Sequence, residues 1–303
     1  MDRLEKALMK AREQRRDALD QIRAINGRDT ISRVAGELNG NKVTRLEPAA
    51  PMIEAVGEAP AQAPAQTRRV DLVEPELVRN RIVARRQKEP AADTFRILRT
   101  KVMQLMARNN LRSIAVTSPR YGDGKSTIAI NLALSLALDV KQTVCLVDLD
   151  FRQPSVHRYL GIEPQLGLCD YLLHDTPIAQ CLVRPSHERM VVLPTKSRLE
   201  NSSETLGTPK MAALAQELKS RYPDRIIIYD MPPLLAQDDA IGFLPHVDGV
   251  LLVVREGATK IEEVRQAMHL LSNTTVVGTV LNNAAERGYN RMNNTAERGK
   301  KRA

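Results

Sequence analysis

Residues 114–134 read IAVTSPRYGDGKSTIAINLAL, and the change of pattern along this stretch decides the fold. An apolar run, Ile114 to Val116, stops at Ser118-Pro119. A glycine-bearing turn follows, and after Gly124-Lys125-Ser126-Thr127 the apolar residues recur at helical spacing. The order is therefore strand, phosphate loop, helix. Gly122 and Gly124, with Asp123 between them, let the backbone turn its N–H groups toward an anion, and the helix adds the positive end of its dipole. Lys125 supplies a mobile charge for β- and γ-phosphates, Ser126 is suited to ligate Mg²⁺, and Thr127 completes the pattern. Pro119 stands where the general phosphate-loop pattern has its first glycine.

Outward from this loop, two more strand ends carry chemistry. TVCLVDLDFRQP puts Asp148 and Asp150 at the exit of one apolar run, followed by Arg152, and RIIIYDMPP puts Asp230 at the exit of another. A single carboxylate leaving a strand is commonly a turn former or a helix cap. Three beside one phosphate loop fit a Mg²⁺ ion that keeps several waters, with carboxylates to orient them and one left to accept a proton.

Strand signals near 112–118, 143–148, 189–194, 225–230, 249–254 and 275–281 alternate with helical stretches. They are runs of Val, Ile and Leu without polar alternation, as in strands buried on both faces. The expected fold is α/β, a mostly parallel sheet wrapped by helices with its ligands at the strand carboxyl ends. Residues 91–109 read as a helix, with Asp93, Arg96 and Arg99 three apart on one face. Residues 1–26 read as an amphipathic helix, and 47–66 are rich in Ala, Pro and Gln and read as a mobile linker. The organisation is then an N-terminal helix and connector over 1–46, a linker over 47–69, a phosphate-loop domain over 70–284 and a basic mobile tail over 285–303.

The net charge of +9 at first suggests nucleic acid or an acidic membrane. Residues 1–90 carry 18 basic and 14 acidic side chains and residues 286–303 carry 6 and 2, leaving 21 against 20 between them. The domain is near neutral, so no nucleic-acid partner is expected, and the basicity belongs to the flanks. Cys145, Cys169 and Cys181 show no metal spacing and read as reduced packing residues. No apolar run reaches the roughly 18 residues of a membrane span, so any membrane association is expected to pass through a partner.

SPRYGDGKST, LVDLDFRQPSVHRYLG and IIIYDMPPLL together resemble the Walker A, A′ and B motifs of the bacterial tyrosine kinases that control capsule and exopolysaccharide synthesis. These are P-loop ATPases related to the MinD/ParA group. The resemblance covers about residues 91–284, and the separate soluble form of the family is the nearer match. It implies ATP and Mg²⁺ as cofactors, with Lys125 and Ser126 on phosphates and metal, and Asp150 and Asp230 organising the metal. Asp148 is then the base toward a tyrosine hydroxyl, with Asp148 and Asp150 able to exchange roles. Arg152 matches the arginine of the A′ motif and Asn282 the position where related ATPases read adenine, which implies nucleotide contacts for both. DTFRILRT (93–100) resembles the family's oligomerisation helix with Asp93 in place of Glu, which implies a homo-oligomer through Arg96 and Arg99.

The implied function is an ATP-dependent protein-tyrosine kinase, cytoplasmic and held at the inner membrane by a polysaccharide co-polymerase. The alternatives are a positioning ATPase, favoured by Arg120 at the place of that group's signature lysine, and a nucleotide-gated adaptor without catalysis. The family's terminal tyrosine cluster is reduced here to Tyr289, which leaves autophosphorylation open.

Overall fold

The computed structural model describes residues 67–284 except 87, 141, 186–188, 200, 222–223 and 237. The N-terminal helix over 1–26, the linker as far as residue 66, the basic tail and Tyr289 lie outside the described residues; Arg68 and Arg69, at the end of the expected linker, belong to a strand.

The described strands are β1 (Arg68–Val70), β2 (Ser113–Thr117), β3 (Thr143–Asp148), β4 (Val183–Pro185), β5 (Met190–Leu193), β6 (Arg225–Asp230), β7 (Gly249–Arg255) and β8 (Val276–Asn282). They form one sheet in the order β1-β4-β5-β3-β6-β2-β7-β8. Neighbours run parallel except β4 with β5. Six strands match the apolar runs of the sequence. β1 and β4 are additions: three residues each, with arginines in place of an apolar run, they pair at the edge.

The adjacent inner strands β2 and β6 are buried at every residue, because helices cover both faces. Alternation sorts their side chains. Ile114, Val116, Ile226 and Ile228 join one core, and Ala115, Ile227 and Tyr229 join the other. The first core includes α1 (Glu74–Arg79), α2 (Pro90–Asn109), α3 (Lys125–Ala137) and α4 (Val156–Leu160). The second includes α5 (Leu168–His174), α6 (Ile178–Cys181), α7 (Ser202–Leu206), α8 (Pro209–Ser220), α9 (Asp239–Phe243) and α10 (Ile261–Leu270). The three cysteines are free and buried in these cores.

Helix α3 follows the phosphate loop and is buried at every residue but Thr127. A helix apolar on all sides needs cover on all sides. The sheet supplies one side and α2 another. Arg99 Nη1 donates to Ser135 O at 2.9 Å and Ser135 Oγ to Phe95 O at 3.2 Å, which fastens α2 across α3. Arg99 therefore has an internal role, whereas Arg96 makes an ion pair with Asp93 on the outer side of α2.

Sheet order brings the chemistry together. β6 lies between β3 and β2, with Asp230 opposite both Asp148 and Val116. The phosphate loop leaves β2 at the same edge, so residues some 80 positions apart in sequence share one crevice at the strand carboxyl ends.

Candidate active site

The phosphate loop turns through Gly122 (φ 84°) and Gly124 (φ 93°), left-handed positions that an L side chain disfavours. A Cβ at Gly124 would also meet the Asn282 side-chain amide, which would have to swing aside. Asn282 Nδ2 donates to Asp123 O at 2.8 Å. The buried Asp123 carboxylate accepts from Arg120 N at 3.2 Å and from Thr259 Oγ1 at 2.9 Å. Arg255 Nη1 donates to Gly122 O at 3.1 Å. The loop is thus held by the ends of β7 and β8 and by the segment leading into α10. Burial raises the pKa of Asp123, and its hydrogen bonds oppose the rise.

Lys125 opens α3 with its side chain 9% exposed. Its Nζ lies 2.8 Å from Asp150 Oδ2 and 3.8 Å from Asp230 Oδ1, and donates to Ser126 Oγ at 3.3 Å. Burial alone would lower its pKa, yet Asp230, Asp150 and Asp148 outweigh burial and push it up. The ammonium is held charged by carboxylates on the two neighbouring strand ends.

The three aspartates occupy different situations. Asp148 is wholly buried, and its carboxylate accepts from the backbone N–H groups of Asp150, Ser155 and Val156 at 3.2, 3.0 and 3.1 Å. It shapes the chain leaving β3 and starts α4. Burial, then repulsion from Asp230, lifts its pKa above the carboxylate range. Asp150 has Oδ1 on Gln153 N at 2.9 Å and Oδ2 on Lys125. Asp230 is fully buried, and neither oxygen has a hydrogen-bond partner among the described residues. Its pKa is raised by burial and moderated by Lys125 and nearby Ser126.

A cavity of about 290 Å³ opens over the loop, lined by Gly122, Gly124, Lys125, Ser126, Thr127, Asp150 and Asn282 among the residues singled out in sequence. Four others do not line it: Asp123 is turned into the loop's own hydrogen bonds, Asp230 is buried 3.8 Å from Lys125 Nζ, and Asp148 and Arg152 stand elsewhere. Asp148 does not line the cavity, because the strand-exit turn takes both its oxygens inward, so it is not placed as a base in this structure. Arg152 points away: its Nε donates to Ser202 Oγ at 2.9 Å and its Nη2 lies 3.3 Å from Asp239 Oδ1. The cavity wall also holds Arg81, Tyr121, Arg158, Tyr159 and Arg255. Tyr121 was visible as a loop residue and Arg158 and Tyr159 lie within the quoted A′ stretch, though none of the three was singled out for the site; Arg81 and Arg255 come from segments that gave no site signal. Arg120 Nη1 faces Glu263 Oε1 of its own chain at 3.5 Å.

Comparison with known proteins agrees with this geometry. The family model described as ParA, NUBPL iron-transfer P-loop NTPase, matches residues 110–295. The tyrosine-protein kinase YwqD of Bacillus subtilis (strain 168) is 31% identical over 206 residues, 67% of this chain and 86% of YwqD. The succinoglycan biosynthesis transport protein ExoP of Rhizobium meliloti (strain 1021) is 31% identical over 208 residues, 67% of this chain. The chain spans only 26% of ExoP. The crystal structure of the chimerical protein CapA2B2 superposes with a TM-score of 0.63 at 28% identity, over 73% of this chain and 95% of that one.

Proposed function

The chain belongs to the ParA family of P-loop NTPases and to the bacterial tyrosine kinases, and on that premise we propose that it transfers the γ-phosphoryl group of ATP to a protein tyrosine and thereby regulates exopolysaccharide or capsule assembly and export. The observation that carries this reading is that Lys125, on the first turn of α3, and Asp150 both line a phosphate-loop cavity, with the Lys125 ammonium also 3.8 Å from the buried Asp230 at the end of the neighbouring strand.

The residues present fit a nucleotide with Mg²⁺. Among the described residues no cluster of three or more His, Cys, Asp or Glu forms an all-protein metal cage. That suits an ion held by one or two carboxylates, a hydroxyl, water and substrate phosphates. Ser126 and Asp230 would hold it, the latter with two buried oxygens free of hydrogen bonds among the described residues, and Asp150 lies within the same cluster. Bound there, Mg²⁺ neutralises charge developing on the transferred group.

Lys125 is the part that changes partner. Its ammonium donates to Asp150 Oδ2 at 2.8 Å, and anionic phosphates over Gly122 and Gly124 would compete for it. Once it turns to the phosphates, Asp150 is left without its counter-charge at the cavity wall, free to accept the proton of an approaching tyrosine hydroxyl. The tyrosine oxygen attacks the γ-phosphorus, ADP leaves, and the proton resides on Asp150. Asp148 acts as a positioning residue that fixes the turn carrying Asp150.

The proposed partner is an inner-membrane polysaccharide co-polymerase, with the chain on its cytoplasmic side. This rests on the likeness to a transport protein, and no helix among the described residues is long and apolar enough to cross a membrane. A positioning ATPase would need Arg120 directed toward a second subunit's phosphates; its engagement with Glu263 does not favour that. The test is incubation of purified protein with Mg²⁺ and γ-labelled ATP, reading phosphotyrosine beside released phosphate. Release of phosphate with no phosphotyrosine, on the chain or on an added tyrosine polymer, would replace the kinase by an ATPase.

A further inference from the structure

Asn80, Arg81 and Ile82 end α1 in a geometry usually built with glycine. Arg81 has φ 60°, its N–H donates to Val78 O at 3.0 Å, and Ile82 N donates to Leu77 O at 2.8 Å. These are the two bonds of a Schellman cap, with Arg81 at the left-handed position and Ile82 and Leu77 making the buried apolar contact that accompanies it. Glycine would fit that backbone more comfortably than arginine. The fold alone gives no reason for the side chain.

The place where that side chain is presented supplies a reason. Asn131, fully buried in the middle of α3, accepts from Val83 N at 2.8 Å and Ala84 N at 3.0 Å, and donates to Arg81 O and Thr127 O at 3.0 and 2.9 Å. One amide thus clamps the 81–84 segment to the first turn of the phosphate-loop helix. Asn80 Nδ2 donates to Tyr159 O at 3.3 Å and Arg158 O at 3.5 Å, which fixes the same segment against α4. The result is that Arg81 and Arg158, 77 positions apart, both line the cavity that Lys125, Ser126 and Thr127 line. Neither guanidinium has a carboxylate or carbonyl partner among the described residues. Four cationic side chains, Arg81, Lys125, Arg158 and Arg255, line the cavity against one carboxylate, Asp150.

We propose that Arg81 and Arg158 form a second anion-binding element for the phosphate chain of the nucleotide, in the same cavity as the phosphate loop. The proposal rests on the nucleotide-binding reading above and deepens it. Guanidinium groups suit this task because each offers a planar fork of donors to phosphate oxygens and cannot lose its charge. An acidic segment of the protein acceptor is the competing occupant, but both arginines border the cavity that holds Lys125, not an outlying groove.

The decisive variant is Arg81→Gly, since glycine keeps the cap and removes only the guanidinium. Its melting temperature should equal or exceed that of wild type. Binding of fluorescent ADP, and its displacement by ATP and by inorganic pyrophosphate, should weaken about tenfold, the size expected for one charge-assisted contact. The affinity should also fall less steeply with added salt. Arg158→Met should behave alike, and Arg81→Lys should lie between. Wild-type affinity for all three ligands in both Arg81→Gly and Arg158→Met overturns the proposal and makes these solvated surface charges. Unchanged nucleotide affinity with a raised KM for an acidic tyrosine peptide also overturns it, in favour of the acceptor. Failure of wild type itself to bind ADP would sink the underlying nucleotide reading, a result distinct from either.

Discussion

Replacing Lys125 with Met tests the electrostatic arrangement and the chemistry together. The ammonium sits in a buried cluster with Asp150 and Asp230, whose side chains are 1% and 0% exposed. Met keeps the stem volume but leaves both carboxylates without their shared cation. Removing one partner of a buried pair commonly costs about 3–5 kcal/mol, mostly as the penalty of the charge left behind. For a domain of this size each kcal/mol shifts the melting temperature by about 2–4 °C, so the loss should be on the order of 10 °C at pH 7.5. Turnover should fall in the same variant by at least about a hundredfold, or ~3 kcal/mol of transition-state stabilisation.

The pH dependence separates this account from a simple packing defect. In wild type the folded pKa of Lys125 is raised, so its contribution is fully present below about pH 10 and disappears only at higher pH. In the variant, Asp230, already raised, moves further up; a raised carboxylate costs stability as pH climbs above its unfolded value near 4 and costs nothing below it. The melting temperatures of wild type and Lys125→Met should therefore converge as pH falls from 7.5 toward 4.5. Adding Asp150→Asn should recover much of the lost stability at pH 7.5 and none of the activity. Equal melting of wild type and Lys125→Met at pH 7.5 would refute the reasoning.

Asp230→Asn should stabilise the ligand-free protein by about 1 kcal/mol at pH 7.5, with the gain shrinking toward pH 4, and should abolish turnover, since it removes a desolvated carboxylate required for activity; melting curves across pH check the first part. Arg96→Ala and Arg99→Ala should differ: the former should reduce a homo-oligomer to smaller species in light scattering at unchanged melting temperature, while the latter, losing the bond to Ser135, should lower the melting temperature by a few degrees. Autophosphorylation, if it occurs on tyrosine, should centre on Tyr289, because Tyr229 is buried and Tyr121 and Tyr159 form the cavity wall; mass spectrometry of wild type and Tyr289→Phe after exposure to ATP decides it, and an unchanged phosphotyrosine signal moves the acceptor elsewhere.

What the sequence made legible was local. The six long strands could be read because a strand buried on both faces must be apolar throughout, and Lys125, Asp150 and Asp230 because each lies within a few residues of a strand end. β1 and β4 escaped because three residues such as Arg68-Arg69-Val70 carry no period; they are strands only because a neighbour supplies hydrogen bonds. Arg152 was misplaced for a related reason. It follows Asp150 by two residues, but the turn at Asp150, closed by Gln153 N on Asp150 Oδ1, sends the next side chain toward Asp239. Arg81 lay beyond reading, since its place depends on a buried amide 50 positions later.

The loop and the acidic cluster are held from opposite sides of β2. Asp123 and Gly122 are tied to Thr259, Arg255 and Asn282 at the β7 and β8 ends, whereas Asp148 and Asp150 are tied within the chain leaving β3. Lys125 bridges the two sides electrostatically, from the loop's first helical residue to Asp150 and Asp230. A phosphate chain settling on the loop can therefore draw Lys125 away without reshaping the backbone around it, because none of the loop's own ties passes through the lysine. Preorganisation of this kind removes an ordering cost from binding. The electrostatic consequence falls on the other side, where Asp150 and Asp230 lose their cation together, and it is there that a metal ion and a proton are required.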